Sequence, residues 1–379
     1  MEKLLVPKLR FPEFKSVWDE RFIGNILKIG SGKDYKHLNT GIYSVYGTGG
    51  YMTSVDEYLY DGESVCIGRK GTIDKPVYLN EKFWTVDTLF YTHSFKGVLP
   101  RFVFSLFQKI NWYKYNEASG VPSLSKGTIE KIKLNIPQLE EQQKIATFLT
   151  VIDTKIIQLN DKKSLLEEYK KGVTQKIFRQ ELRFKDGNGN VYPEWIEKRL
   201  KDFVKDFIVP MRDKPKDLIG DIPWCRIEDF DGMYLYGSKS NQGVSLETVS
   251  NMNLKVYPIN TLLVSCSANL GVCSIVKKKL ITNQTFIGLV PNELEINVEF
   301  LYYTMKLSSR KLNVLSSGTT IAYLSRQQFE EFKVEVPCLN EQVKIANFLT
   351  AIDKKIELVQ TQIDNTTSFK KGLLQQMFV

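Results

Sequence analysis

Two glycine-rich stretches place polar and cationic side chains where the backbone turns sharply. Gly68 to Gly71 reads GRKG, and Arg69 and Lys70 in so tight a loop suit a phosphate or the acceptor edge of guanine. Gly47 to Gly50 reads GTGG, flanked by Tyr46, Thr48 and Tyr51, where the backbone can approach a ligand closely. Further on, Ser265, Ser267 and Asn269 occupy a Ser, Asn and Gly loop, and an asparagine amide can pair with two atoms of adenine. Lys277, Lys278 and Lys279 form a basic run able to meet phosphates, and Thr319, Thr320 and Arg326 follow. Each group has a plain alternative, because solvated turns, hairpins and capped loops use the same residues.

The chemistry that is missing narrows the function. No GxxxxGK[ST] loop is present, so no phosphate-binding nucleotide site is expected. No Asn/Asp-Pro-Pro-aromatic tetrad marks an adenine-methylating centre, and no PD…(D/E)xK cluster marks a nuclease. The acid pairs Glu140-Glu141 and Glu167-Glu168 read as solvated helix faces. Five scattered cysteines without a CxxC pair, and two histidines far apart, give little support to a metal site. A binding protein without its own catalysis is the expectation. The net charge of +9 favours an anionic partner such as nucleic acid.

The elements that must position these loops announce themselves by repetition. PQLEEQQKIATFLTVIDTKI begins at Pro137 and PCLNEQVKIANFLTAIDKKI at Pro337, with fourteen of twenty positions identical. The register persists to Gly172 with Gly372 and Phe178 with Phe378. Ile145, Leu149, Ile152, Ile156 and Leu159 are spaced 4, 3, 4, 3, as are Ile345, Leu349, Ile352, Ile356 and Val359, which is the heptad seam of a helix. Each helix would run ~40 residues, or ~60 Å, with Asn340 as a plausible N-cap of the second. Two stripes of equal length and period call for pairing as an antiparallel coiled coil within the chain. Gln142, Lys144, Gln342 and Lys344 flank the seam, and their identity in both copies suits docking of two identical partners.

The expected fold class is α+β: two mixed α/β domains (1–137 and 186–337), each followed by a long helix (138–185 and 338–379), in pseudo-twofold order. The domains share landmarks. LRF recurs at Leu9 and Leu182, PEF at Pro12 is echoed by PEW at Pro193, and Leu124-Ser125 recurs as Leu324-Ser325. Helices are expected around Pro100 to Lys109 and Val298 to Leu307, each after a threonine-rich strand. Between the landmarks the sequences diverge, as when a fixed frame carries different recognition loops. No apolar run long enough for a membrane span occurs, no secretion signal is read at the N-terminus, and a cytoplasmic setting is expected.

The paired P-x-L-x-E-Q-x-K-I-A-x-F-L-T-x-I-D-x-K-I segments, the LRFPEF…W opening, YGTGGY and GRKGT together resemble the specificity subunit of type I restriction-modification systems. The resemblance covers the whole chain. It implies that each domain reads half of a split, asymmetric site in double-stranded DNA and that the coiled coil fixes the spacer between halves. It further implies that two modification subunits dock on the helices and that restriction subunits join them. S-adenosylmethionine, ATP and magnesium would then reside on those partners. The rival reading is a coiled-coil scaffold presenting two protein-binding domains.

Overall fold

The computed structural model describes residues 6–210, 214–267, 269–316 and 323–379. They form two compact units, Met1–Ser164 with Leu358–Val379, and Leu165–Glu357. The units do not coincide with the four sequence segments. Each contains one variable domain, the start of the helix that follows it, and the end of the other long helix.

In the first unit, six strands lie in the order 28–31, 89–93, 60–68, 77–85, 40–47, 50–55. All pair antiparallel except 40–47 with 77–85. A helix at Pro100–Lys109 starts on a proline whose fixed φ suits the first helical position, and it buries Phe102, Val103, Leu106 and Phe107. The single threonine-rich strand expected before this helix is two strands. The chain leaves one at Thr85, turns at Val86–Thr88 with the Leu89 N–H donating to the Val86 carbonyl, and begins the next at Leu89. A short strand, Asp19–Phe22, pairs antiparallel with Lys133–Ile136, which leads into the long helix.

The second unit repeats this frame with insertions. Strands 204–208, 286–291, 262–265, 273–276 and 234–235 form one sheet, and 243–244, 222–225 and 281–282 form another. The threonine-rich segment is again split, at residues 283–285. Ile196–Arg199 pairs antiparallel with Lys333–Val336 in the register of the first unit, and Lys333 bonds Glu197 at 2.6 Å as Lys133 bonds Glu20. The helix Val298–Leu307 lies where the sequence placed it, and Ser309–Leu315 adds another.

The long helices run Leu139–Phe178 and Leu339–Met377. Asn340 is therefore in the first turn and is not the cap. Gln138 O and Cys338 O accept the first hydrogen bonds of the two helices, from the N–H groups of 141 and 142 and of 341 and 342. In each unit the start of one helix packs with the end of the other, the antiparallel arrangement expected from the seam. Ile145, Ala146, Leu149 and Ile152 share the first core with Leu373, Leu374, Met377 and Phe378. Ile345, Ala346, Leu349 and Ile352 share the second with Ile177. Lys370 bonds Asp153 and Gln108 in the first unit, and Lys170 bonds Asp353 in the second.

The landmarks of the variable domains are the clamps on these helices. Arg10, from the first LRF, grips the buried Glu141 with two bonds of 2.7 Å. Arg183, from the second, grips the buried Glu341 at 2.8 and 2.9 Å. Reading Glu141 as a solvated face was therefore wrong: its carboxylate is sealed in and the fork-shaped guanidinium compensates it. The same bond holds the Arg10 pKa above its ordinary value. The phenylalanine after each arginine packs edge-on against Phe148 or Phe348. An aromatic triad closes each unit: Trp18, Phe102 and Phe378 in one, Trp195, Phe300 and Phe178 in the other.

Arg183→Ala should lower stability by about 3 kcal/mol or more in urea unfolding, because it strands a buried carboxylate. A loss under about 1 kcal/mol would show that Glu341 reaches water once its partner is gone.

Candidate nucleic-acid interface

In the first unit, turns distant in sequence meet at one place. The Arg69 N–H donates to Thr88 O at 2.7 Å, and Gly71 N–H donates to Pro122 O at 2.8 Å. Val86 N–H donates to Tyr46 O, which joins the strand leading into the Gly47 turn to the Val86–Thr88 turn. A Cβ placed on Gly71 would lie 3.8 Å from Thr48 Oγ1. The loop also needs its glycines. A Cβ on Gly68 would lie 1.9 Å from Thr72 O, and Gly71 has φ of +94°. The result is a cleft of about 670 Å³ lined by Arg69, Lys70, Asp87, Glu117 and Lys126 among others. The Arg69 guanidinium lies over the Phe90 ring at 5.9 Å. Glu117 is tied to the Thr128 and Ser125 hydroxyls, which hold its carboxyl below the usual range.

The structure thus brings Arg69, Lys70 and Thr48 together. Tyr46 stands on the adjoining strand, its hydroxyl donating to Glu81 at 2.6 Å. Tyr51 is exposed, with its hydroxyl 3.0 Å from Ser54 Oγ. Lys126 was missed by the sequence reading, although it lies 200 positions before Arg326 and follows the repeated Leu-Ser pair. Asp87 was missed because it was read as the interior of a single strand.

The second unit has the same joint with different side chains. Cys266 N–H donates to Thr285 O and Leu324 N–H to Cys266 O, as Arg69 N–H donates to Thr88 O and Leu124 N–H to Arg69 O. Ser267 bridges Tyr323 as Lys70 bridges Ser123. Position 266 therefore matches 69, and 284 matches 87. Ser267 and Asn269 sit at this joint, Asn269 exposed. Ser265 does not face solvent: it is fully buried and its hydroxyl donates to Ser267 O at 2.9 Å.

The lysine run does not join the group. Residues 262–265 and 273–276 form a hairpin, with Asn269 at its tip and Lys277 at its open end, ~13 Å away at 3.3 Å per residue. Lys277 is committed internally, bonded to Asn260 at 3.1 Å, 3.7 Å from Glu299 and 4.8 Å from the Tyr234 ring centroid. Lys278 and Lys279 are exposed, and Lys278 lines a separate cleft with Tyr236, Lys239 and Gln242. Arg326 is half-exposed, bonded to Glu330 at 2.7 Å and 4.0 Å from Asp206. Thr319 and Thr320 lie outside the described residues.

The residues assigned to partner docking divide sharply. Gln142 is fully buried, and its amide oxygen accepts from Leu99 N–H at 2.9 Å. Its amide nitrogen donates to Gly97 O at 3.0 Å and Pro137 O at 2.8 Å. Gln342 makes the same three bonds with Asn297 N–H, Glu295 O and Pro337 O. Neither is a surface group; each bolts a domain loop to the helix start. Lys144 pairs with Glu13 and lies 4.9 Å from the Phe11 ring centroid, and Lys344 donates to Lys185 O at 2.6 Å. Both lysines retain partial exposure while pinning the chain that enters each domain. Much of the identity between copies thus serves these clamps and the core.

A frame built twice, with divergent polar loops at one equivalent joint, makes this a duplicated α+β scaffold protein. The type I restriction modification DNA specificity domain model matches residues 15–168 and 193–367, and the chain belongs to that family. The MjaIX specificity subunit of a type I restriction enzyme in Methanocaldococcus jannaschii is 29% identical over 53% of this chain and 48% of its own. The putative MjaX specificity subunit of the same organism is 26% identical over 71% of this chain and 64% of its own. The match thus spans about half to two thirds of those relatives. A putative type I specificity subunit of Mycoplasma pneumoniae is 26% identical over 83% of this chain and 82% of its own. In fold, the crystal structure of the type I S subunit from M. genitalium matches with a TM-score of 0.70 at 15% identity, over 99% of each chain.

Gln342→Ala should cost about 2 kcal/mol or more in urea unfolding, since it unpairs one N–H and two carbonyls at a buried joint. A surface docking role would instead leave stability unchanged.

Proposed function

We propose that this chain is the DNA-reading subunit of a type I restriction-modification complex. Each unit reads one half of a split, asymmetric site. The observation that carries this reading is the joint at Arg69 and Cys266: these two residues make matching pairs of backbone hydrogen bonds, while the side chains around them differ. Identical joints present the loops in the same way, and unlike side chains make the half-sites unlike. The basic net charge adds attraction to the phosphate backbone.

In this reading the chain performs no chemistry. Two modification subunits dock on it and bring S-adenosylmethionine, and restriction subunits add ATP- and magnesium-dependent steps, all in the cytoplasm. The two long helices set the number of unread base pairs between halves, because helix length is fixed by rise per residue. Matched helix positions that no internal contact explains are the best docking surface. These are Lys155 with Lys355, Lys171 with Lys371, Gly172 with Gly372, and Gln175 with Gln375. A Cβ on either glycine would meet nothing within 4 Å, so the chain's own packing does not require them.

Removing seven residues from each helix, 160–166 and 360–366, should shorten the spacer and leave both half-site sequences intact. Methylation mapping in cells carrying the complete system would read both. Altered half-sites with an unaltered spacer would overturn the ruler. No sequence preference by the complex at any salt concentration would favour a protein-binding scaffold instead.

A further inference from the structure

The matched joint holds two different kinds of hydrogen-bonding groups. In the first unit Arg69 and Asp87 line one cleft. Among the described residues, the Arg69 guanidinium makes no hydrogen bond or ion pair, resting only over Phe90. Asp87 is exposed on the Val86–Thr88 turn and likewise has no bonded partner. Its neighbour Glu117 is different, because two hydroxyls already occupy it. Beside the ammonium groups of Lys70 and Lys126, the cleft therefore offers one free five-donor fork and one free acceptor-only carboxylate.

In the second unit both are replaced. Cys266 stands at the position of Arg69, is buried, and directs its thiol to Gln284 O at 3.6 Å. Gln284 stands at the position of Asp87 and is exposed. Asn269 is exposed at the neighbouring hairpin tip. Neither of these side-chain amides is engaged by another described residue. This joint has no cation at position 266 and offers amides, each carrying a donor and an acceptor together.

Base edges distinguish these sets. Guanine shows two acceptors in the major groove and takes the arginine fork; cytosine shows an amino donor and takes a carboxylate; adenine shows an acceptor beside a donor and takes an amide. A free carboxylate in a cleft that must approach phosphates also repels DNA unless a base amino group meets it, so Asp87 penalises guanine and thymine there, and it meets adenine's amino group only with the N7 acceptor beside it. We infer that the first unit reads guanine through Arg69 and cytosine through Asp87, whereas the second reads adenine through Gln284 with help from Asn269. This assignment rests on the DNA-reading function proposed above and adds the base class of each half-site.

The test uses the full chain assembled with its modification subunits, and a DNA library with both half-sites randomised. The unaltered complex should select one half-site with fixed guanine and cytosine and another with a fixed adenine. Asp87→Asn should relax the cytosine position about tenfold or more in that half alone. Gln284→Glu should move the adenine position of the other half towards cytosine by a similar factor. Both substitutions lie on exposed turns, so melting temperatures should match the unaltered chain. If the unaltered complex selects two half-sites and neither substitution changes its own half, the base assignment is overturned while DNA reading stands. Changes that fall equally on both halves also overturn it. If the unaltered complex selects no sequence, the DNA-reading function fails with it.

Discussion

The buried carboxylate at the start of each long helix is the constraint on which the rest of the structure depends. Glu141 and Glu341 are shut away from water, and a carboxylate so placed must find a matched cation or the fold opens. Arg10 and Arg183 come from the segments that enter the variable domains, so satisfying the charge also fixes where each domain begins. The adjacent glutamine then fixes a second segment, just before the domain helix, through two hydrogen bonds, and holds the chain entering the long helix with a third. Two neighbouring residues on each long helix thus anchor two ends of a domain. The loops between those ends are free to vary because none of them carries the clamp.

This division explains why the two copies of the helix agree at both ends and not in the middle. From position 157 to 169 no residue matches its counterpart 200 positions later. The matches cluster where a helix meets a domain: at the clamp, along the seam, and at the terminal phenylalanine of each aromatic triad. Identity there records internal packing. It is not by itself a mark of an external partner, which is why Gln142 and Gln342 belong to the clamp.

The frame was legible in the sequence because a repeat with heptad spacing has few physical solutions. The long helices, the helix at Pro100, the helix at Val298 and the doubled landmarks all follow from spacing and turn chemistry. The interface was legible only in part. Arg69 and Lys70 lie between glycines whose need is steric, and that signal is local. Lys277 looked equivalent as a basic residue after a strand, yet a hairpin with its tip at Asn269 sends the lysine to the other end. Burial of Ser265 depends on a neighbouring strand at Phe286 and a bond to Ser267, neither visible in composition. Asp87 and Gln284 emerge only when the backbone bonds of the two units are compared.

The chain's order imposes a schedule on its synthesis. The unit Leu165–Glu357 is one continuous stretch, whereas the unit that begins the chain is completed only by Leu358–Val379. Until Phe378 arrives, Trp18 and Phe102 lack the ring that closes their triad. The part made first is therefore the part finished last. A nascent chain that has not yet reached Phe378 carries an incomplete apolar core around Trp18 and Phe102, and quality control acting on it would meet the protein there.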